Sequence, residues 1–265
     1  MSNNSSFNIF ASVKSAYLFV AREKNYLLQI SLLPIGAQIA CLLFVQFQRP
    51  HASQIETYLW SLPAEGLFGW YLFLQTRLLL LGEKQAPPPA GTPAYARRRR
   101  NMEASIIAFV LFNMAFIAAT DAWLTIQEHL QDKGQADSTS IMIQLLIVGA
   151  IFWGARFGIV PILAAVGHPI GAVLKKTWGA MFSLRLIGLL FLSVLPVTLL
   201  SNIILIAILP HALLPDGSIH LTTQQQTFLS VIDAPISLLS WTLMSASMAY
   251  ALKQILGKGR RDRIV

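Results

Sequence analysis

Three carboxylates stand inside otherwise apolar stretches of the chain: Glu65, Asp121 and Asp233. A charge in hydrocarbon is costly, so such a residue marks either an ion or proton path or a satisfied structural pair. Counted at 1.5 Å per helical residue from the ends of their stretches, Glu65 lies roughly 10 Å deep, Asp233 roughly 8 Å and Asp121 about 5 Å, all from one side. If they converge, they form an outward-facing acidic vestibule able to bind a cation or relay protons. If they do not, they are separate carboxylates at the headgroup level. Opposite in sign and side is the run Arg97, Arg98, Arg99 and Arg100, with Lys175 and Lys176 further along. Cations held at a bilayer attract anionic headgroups, each contributing about 1 kcal/mol near a negatively charged leaflet. A run tethered between two membrane spans cannot leave the surface, so the expected partner is anionic lipid and not nucleic acid. The same arginines also serve as a topology determinant.

No catalytic set accompanies these charges. H-E-x-x-H, a P-loop, G-x-S-x-G and a dinucleotide fingerprint are all missing from the sequence. His129 near Glu128 and Asp132 offers at best a weak metal site, and the single cysteine, Cys41, excludes both an internal disulfide and a cysteine-based zinc site. The expectation is a protein that is not an enzyme and takes no cofactor or metal.

The elements that must hold these residues follow from composition. Of 265 residues, 55% are hydrophobic and only 12% charged, against a usual charged share of about 25%. Ordinary soluble enzymes, disordered chains and coiled coils are excluded on that ground. Six stretches are long and apolar enough to span a bilayer: residues 26–47, 58–81, 104–124, 141–163, 184–209 and 228–252. Outside them, fifteen lysines and arginines fall in the N-terminal tail, the second and fourth loops and the C-terminal tail; only Arg49 and Lys133 fall in the other loops. The positive-inside rule then places both termini in the cytoplasm.

The predicted fold is all-α and polytopic, with six transmembrane helices and two interfacial amphipathic helices. The first interfacial helix carries Phe7, Phe10, Val13, Tyr17 and Val20 at spacings of three or four; the second carries Ile170, Val173, Leu174, Trp178 and Met181 beside Lys175 and Lys176. The domain plan is an amphipathic cytoplasmic segment over 1–25, a transmembrane domain over 26–252 and a basic tail over 253–265. Residues 85–95, with their successive prolines, are expected to form a semi-extended linker delivering the arginine run to the membrane. The polar loop 127–140 is expected to be solvated and mobile.

Within the spans, Arg77, Arg156 and Arg185 fall toward the cytoplasmic ends; Arg77 and Arg185 are close enough to snorkel to phosphates, while Arg156 lies deeper and its role stays open. Asn113 is placed to hydrogen-bond to another helix, and Gly154 and Gly158 form a G-x-x-x-G row that permits close helix approach.

QTRLLLLGE, Gln75 to Glu83, resembles the end of the second span in an uncharacterised family of bacterial six-span membrane proteins. Ala155 to Leu192 is similar to that family's fourth loop, with Arg156, Pro161, Ala165, Gly167, Thr177, Gly179 and Arg185 at the matching positions. The layout also resembles the membrane domain fused to some glycerophosphodiester phosphodiesterases. Gln75-Thr76 stands where the family usually has Trp-His. The resemblance implies a multi-pass protein of the bacterial inner membrane; it implies no activity, since a soluble catalytic barrel has no room beside six spans.

The sequence thus supports a non-catalytic scaffold, assembly or lipid-associated component that binds anionic lipid on its cytoplasmic face. The alternative is a small cation- or proton-coupled transporter using Glu65, Asp121 and Asp233.

Overall fold

A backbone in hydrocarbon has no hydrogen-bond partner but itself, which favours helices throughout the apolar stretches. The computed structural model describes residues 7–49, 53–84, 88–133, 138–208 and 223–261. Among these residues every regular element is helical: α1 (Ile9–Arg22), α2 (Lys24–Gln48), α3 (Gln54–Leu81), α4 (Pro93–Lys133), α5 (Ser138–Gly154), a 3₁₀ segment (Ala155–Ile159), α6 (Val160–Val166), α7 (Ile170–Lys176), α8 (Ala180–Ile208) and α9 (Thr223–Arg261).

Among the described residues, five helical stretches are long and apolar enough to cross a membrane: α2, most of α4, α5 with α6, α8 and α9. Only 17–28% of each apolar stretch is buried within the protein, so most of its surface has to be covered by lipid. Leu28, Leu32 and Leu33 on α2, Leu145 and Leu146 on α5, and Leu199, Leu200 and Ile203 on α8 are all exposed. In water such a surface would aggregate. The chain is a multi-pass membrane protein.

The stretch expected as the second span lies in α3, which is not among those five. At 28 residues it is about 40 Å long, ample for a bilayer. It is less apolar because it sits in the middle. It packs against α2, α4, α6 and α9, and every residue from Tyr71 to Leu78 is buried. A helix enclosed by protein can carry polar groups that bond to its neighbours. Tyr71 Oη lies 2.9 Å from Thr242 Oγ1, Gln75 Nε2 donates to the Thr242 carbonyl at 2.7 Å, and Ser245 Oγ donates to Gln75 Oε1 at 3.1 Å, which stitches α3 to α9.

Four sequence expectations change here. The residues of α1 turned into the bundle are Ser12, Ala16 and Phe19, while Phe10 is three-quarters exposed. The predicted stripe is therefore divided between faces. Phe7, just ahead of the helix, packs on Phe182 of α8, Gln254 of α9 accepts from the Asn8 N–H, and the Tyr17 hydroxyl donates to the Ser193 carbonyl. Small residues at 12 and 16 let α1 settle against α8 and α9. In the second predicted surface helix, α7 ends at Lys176, because Thr177 turns its hydroxyl back onto the Val173 and Leu174 carbonyls. Trp178 and Met181 lie beyond it and are exposed. Finally, part of the loop over 127–140 is helical: α4 continues to Lys133 and α5 begins at Ser138. The basic tail also begins as helix, since α9 runs on through Lys253 to Arg261.

The G-x-x-x-G row does not mediate the closest helix approach. The 3₁₀ segment starts just after Gly154 and breaks the row; a Cβ on Gly154 would meet nothing within 4 Å, whereas one on Gly158 would lie 3.3 Å from the Phe112 ring of α4. The tight contact is between α3 and α4, where a Cβ on Gly69 would lie 3.1 Å from Ile106 Cα.

Candidate functional site

Two helix ends build the site. Gly82 closes α3 with φ 71°, a left-handed conformation glycine adopts without steric cost. Its N–H bonds to the Leu78 carbonyl and that of Glu83 to the Arg77 carbonyl, so the chain folds back over the last turn. That reversal lays the Glu83 carboxylate on the Arg77 guanidinium: Nε to Oε2 is 2.9 Å, and Nη2 reaches Oε1 at 2.9 Å and Oε2 at 2.7 Å. Nη1 donates to the Ala165 carbonyl at 2.8 Å. Arg77 is thus consumed inside the protein, not snorkelling to lipid as expected.

The second end is the start of α4. Thr92 accepts the Tyr95 N–H on its hydroxyl at 3.2 Å, and Pro93 supplies the first helical residue. Residues 93–95 are therefore helical, correcting the linker expected through residue 95, and the four arginines form a rigid extension of a spanning helix. On that helix Ala94, Arg97, Arg98 and Asn101 share one face at spacings of three and four. With Arg77, Glu83 and Lys84 they line a cavity of about 480 Å³. Glu83 is neutralised by Arg77 and lies 4.0 Å from Arg98; Lys84 is 3.3 Å from Glu23. The cavity is net cationic, and the positive end of the α4 dipole adds to it.

A larger cavity, about 720 Å³, lies beside the first, and the two share Leu81 and Val166. Its walls are aliphatic, including Leu80, Ile162, Leu163, Val173, Leu252 and Leu256, with His168, Lys176 and Lys253 also in the lining. Val166 leads into Gly167, whose φ is 70°. A Cβ there would lie 2.8 Å from Asn101 Nδ2, so glycine lets the α6–α7 turn close on α4 between the two cavities.

The six cations expected to bind lipid are not equivalent. Arg97 and Arg98 line the basic cavity and Lys176 the aliphatic one. Arg99 points elsewhere and pairs with Glu103 at 2.8 Å; Arg100 and Lys175 are exposed and line neither cavity. Lys84, Asn101, His168 and Lys253 join the site without having been expected. The α4 face was detectable as i, i+3, i+4, i+7 from Ala94, had the helix start been read at Thr92-Pro93.

The carboxylates do not gather. Among the described residues no three acidic, histidine or cysteine side chains are close enough to share an ion. Glu65 is buried and accepts a 2.8 Å hydrogen bond from Asn113 Nδ2, which is the interhelical role expected of Asn113. Asp233 lines a separate cavity of about 410 Å³ with Leu42, Ser201 and Ile204. Asp121 is part-exposed on α4 and lines neither that cavity nor the two at the basic end. The side chains of Glu128, His129 and Asp132 lie outside the described residues.

Arg156 is also enclosed. It is 1% exposed, stands 4.2 Å from the Trp153 ring centroid and 4.7 Å from that of Trp178, and donates through Nη2 to Ser183 Oγ at 2.8 Å. Nε and Nη1 have no hydrogen-bond partner, so the two ring faces supply most of the compensation for this buried cation.

Compared with protein-family models, curated proteins and solved structures, the chain has no match.

Proposed function

We propose that this chain is a six-span membrane component, with α3 as the enclosed sixth span and both termini cytoplasmic, that holds anionic phospholipid at its cation-rich end without chemically altering it. The observation that supports this reading is the cavity lined by Arg77, Lys84, Arg97, Arg98 and Asn101, set beside an aliphatic cavity at the same end of the bundle. Phosphate suits such a set: arginine offers planar paired donors, lysine a point charge, and the amide of Asn101 a neutral donor. A scaffold or assembly role fits a site whose donors are suited to holding a phosphate. The transporter alternative is weakened by the separation of Glu65 from Asp233, which lie against different neighbours.

The test is lipid selectivity of the purified chain. Delipidated protein in neutral detergent is titrated with phosphatidylglycerol and with phosphatidylcholine, and bound lipid is counted by native mass spectrometry. Preferential, salt-sensitive retention of phosphatidylglycerol is expected. Equal retention of both lipids contradicts the reading.

A further inference from the structure

Leu81 and Val166 line both the basic and the aliphatic cavity, and that adjacency carries a narrower conclusion. We infer that the two form one site for an intact anionic phospholipid, its phosphate against Arg97 and Arg98 and one acyl chain in the aliphatic cavity between α3, α6, α7 and α9. The inference rests on the anionic-lipid reading above but goes further, because a merely charged surface would gather headgroups and leave the chains in the bilayer.

The shape of the charge supports it. Cations stand on both sides of the shared sill: Lys84, Arg97 and Arg98 on the basic side, Lys176 and Lys253 on the aliphatic side. Between them the larger lining is made of leucine, isoleucine, valine and alanine, with far more apolar than polar surface. An aliphatic cavity of about 720 Å³ cannot hold a hydrated ion favourably, and it is large enough for much of a hydrocarbon chain. The basic side offers guanidinium, ammonium and amide donors from Arg97, Arg98, Lys84 and Asn101. A phosphate joined to an aliphatic tail satisfies both halves; a soluble phosphate satisfies one.

Gly257 makes the idea testable without unfolding the protein. It lies on α9 in the aliphatic lining, and a Cβ there would meet nothing within 4 Å. A phenylalanine at this position obstructs the cavity while replacing a poor helix former. Ala172 lines the same cavity from α7, is exposed, and provides a second variant.

Gly257→Phe, Ala172→Phe and the pair Arg97→Gln with Arg98→Gln are titrated with phosphatidylglycerol, with glycerol 3-phosphate as a chain-free competitor and melting temperature as a folding check. The two cavity-filling variants are expected to bind phosphatidylglycerol about tenfold more weakly while still preferring it over phosphatidylcholine; the arginine pair loses the preference itself. Glycerol 3-phosphate should compete poorly with wild type. If the filled variants bind like wild type while the arginine pair does not, the acyl chain lies outside and this inference fails, with the anionic-lipid reading intact. Glycerol 3-phosphate displacing the lipid at equal concentration has the same meaning. If none of the variants changes binding or preference, both conclusions fall.

Discussion

Glu83 grips the Arg77 guanidinium from six residues downstream, with three N–O contacts between 2.7 and 2.9 Å. The link fixes the end of α3 beside the basic cavity. Arg77 is spent inside the protein, and the cavity's outward charge comes from Arg97, Arg98 and Lys84.

Glu83→Gln should therefore leave a buried guanidinium short of its counter-charge. Hydrogen bonds to charged groups are worth about 1.5–3 kcal/mol, and the lower end applies because Glu83 is itself partly exposed to screening solvent. A fall in melting temperature in detergent is expected. Pairing it with Arg77→Met should cost less than the two single changes summed, since no charge is then left unpartnered. Additive losses contradict the pairing.

The two positive-φ glycines at the site differ in what surrounds them. Gly82→Ala meets open space, so its cost is the backbone alone, about 1–2 kcal/mol. Gly167→Ala adds a clash with Asn101 and should lower stability more. Asn101→Ala in the same chain should restore part of the difference. If the two alanine variants melt alike, Gly167 and Asn101 are not in contact.

Close packing of α3 on α4 rests on Gly69. A methyl group there meets the backbone of Ile106, and such overpacking costs about 1–3 kcal/mol. Gly154→Ala should be tolerated, as nothing lies within 4 Å of the added carbon. The reverse ranking in thermal unfolding would mean that the small-residue row at 154 and 158 is the real contact.

For the buried carboxylate, Glu65→Gln keeps an acceptor for Asn113 and removes a charge from the bundle interior. Stability equal to or above wild type is expected. Asn113→Leu strands the carboxylate and should cost about 1–3 kcal/mol. Loss of a proton- or cation-driven flux in reconstituted Glu65→Gln vesicles would instead restore the transporter reading.

How much of this was legible beforehand depends on the range of the interaction. Burial in lipid is a property of whole segments, so all six apolar stretches could be read from the sequence alone; α3 is not among the five most apolar helices because it carries polar residues that find partners on α4 and α9. Local periodicity also carried through at α7, where Ile170, Val173 and Leu174 turn inward or are part-buried. At α1 the stripe is divided: Val13, Tyr17 and Val20 are part-buried, Phe10 is exposed, and the residues turned fully inward are Ser12, Ala16 and Phe19. Capping chemistry was readable but unread: Thr92-Pro93 starts α4, and the Gly82-Glu83 pair returns a carboxylate to Arg77. Nothing local in the chain could show that Lys253, 173 residues after Leu80, would share a cavity with it, or that Trp178 would close over Arg156. Such meetings are fixed only by the packing of the whole bundle.

Selective binding at the Arg97–Arg98 face is most directly tested by exchanging arginines in pairs. Arg97→Gln with Arg98→Gln and Arg99→Gln with Arg100→Gln remove the same charge from about one helical turn. Phosphatidylglycerol affinity measured by native mass spectrometry should fall roughly 30-fold in the first pair, as about 1 kcal/mol per cation implies, and change by no more than about twofold in the second, where Arg99 is committed to Glu103 and screened charge is worth little. Equal losses in both pairs, or none in the first, would show that only a diffuse positive field is present and that the cavity binds no lipid.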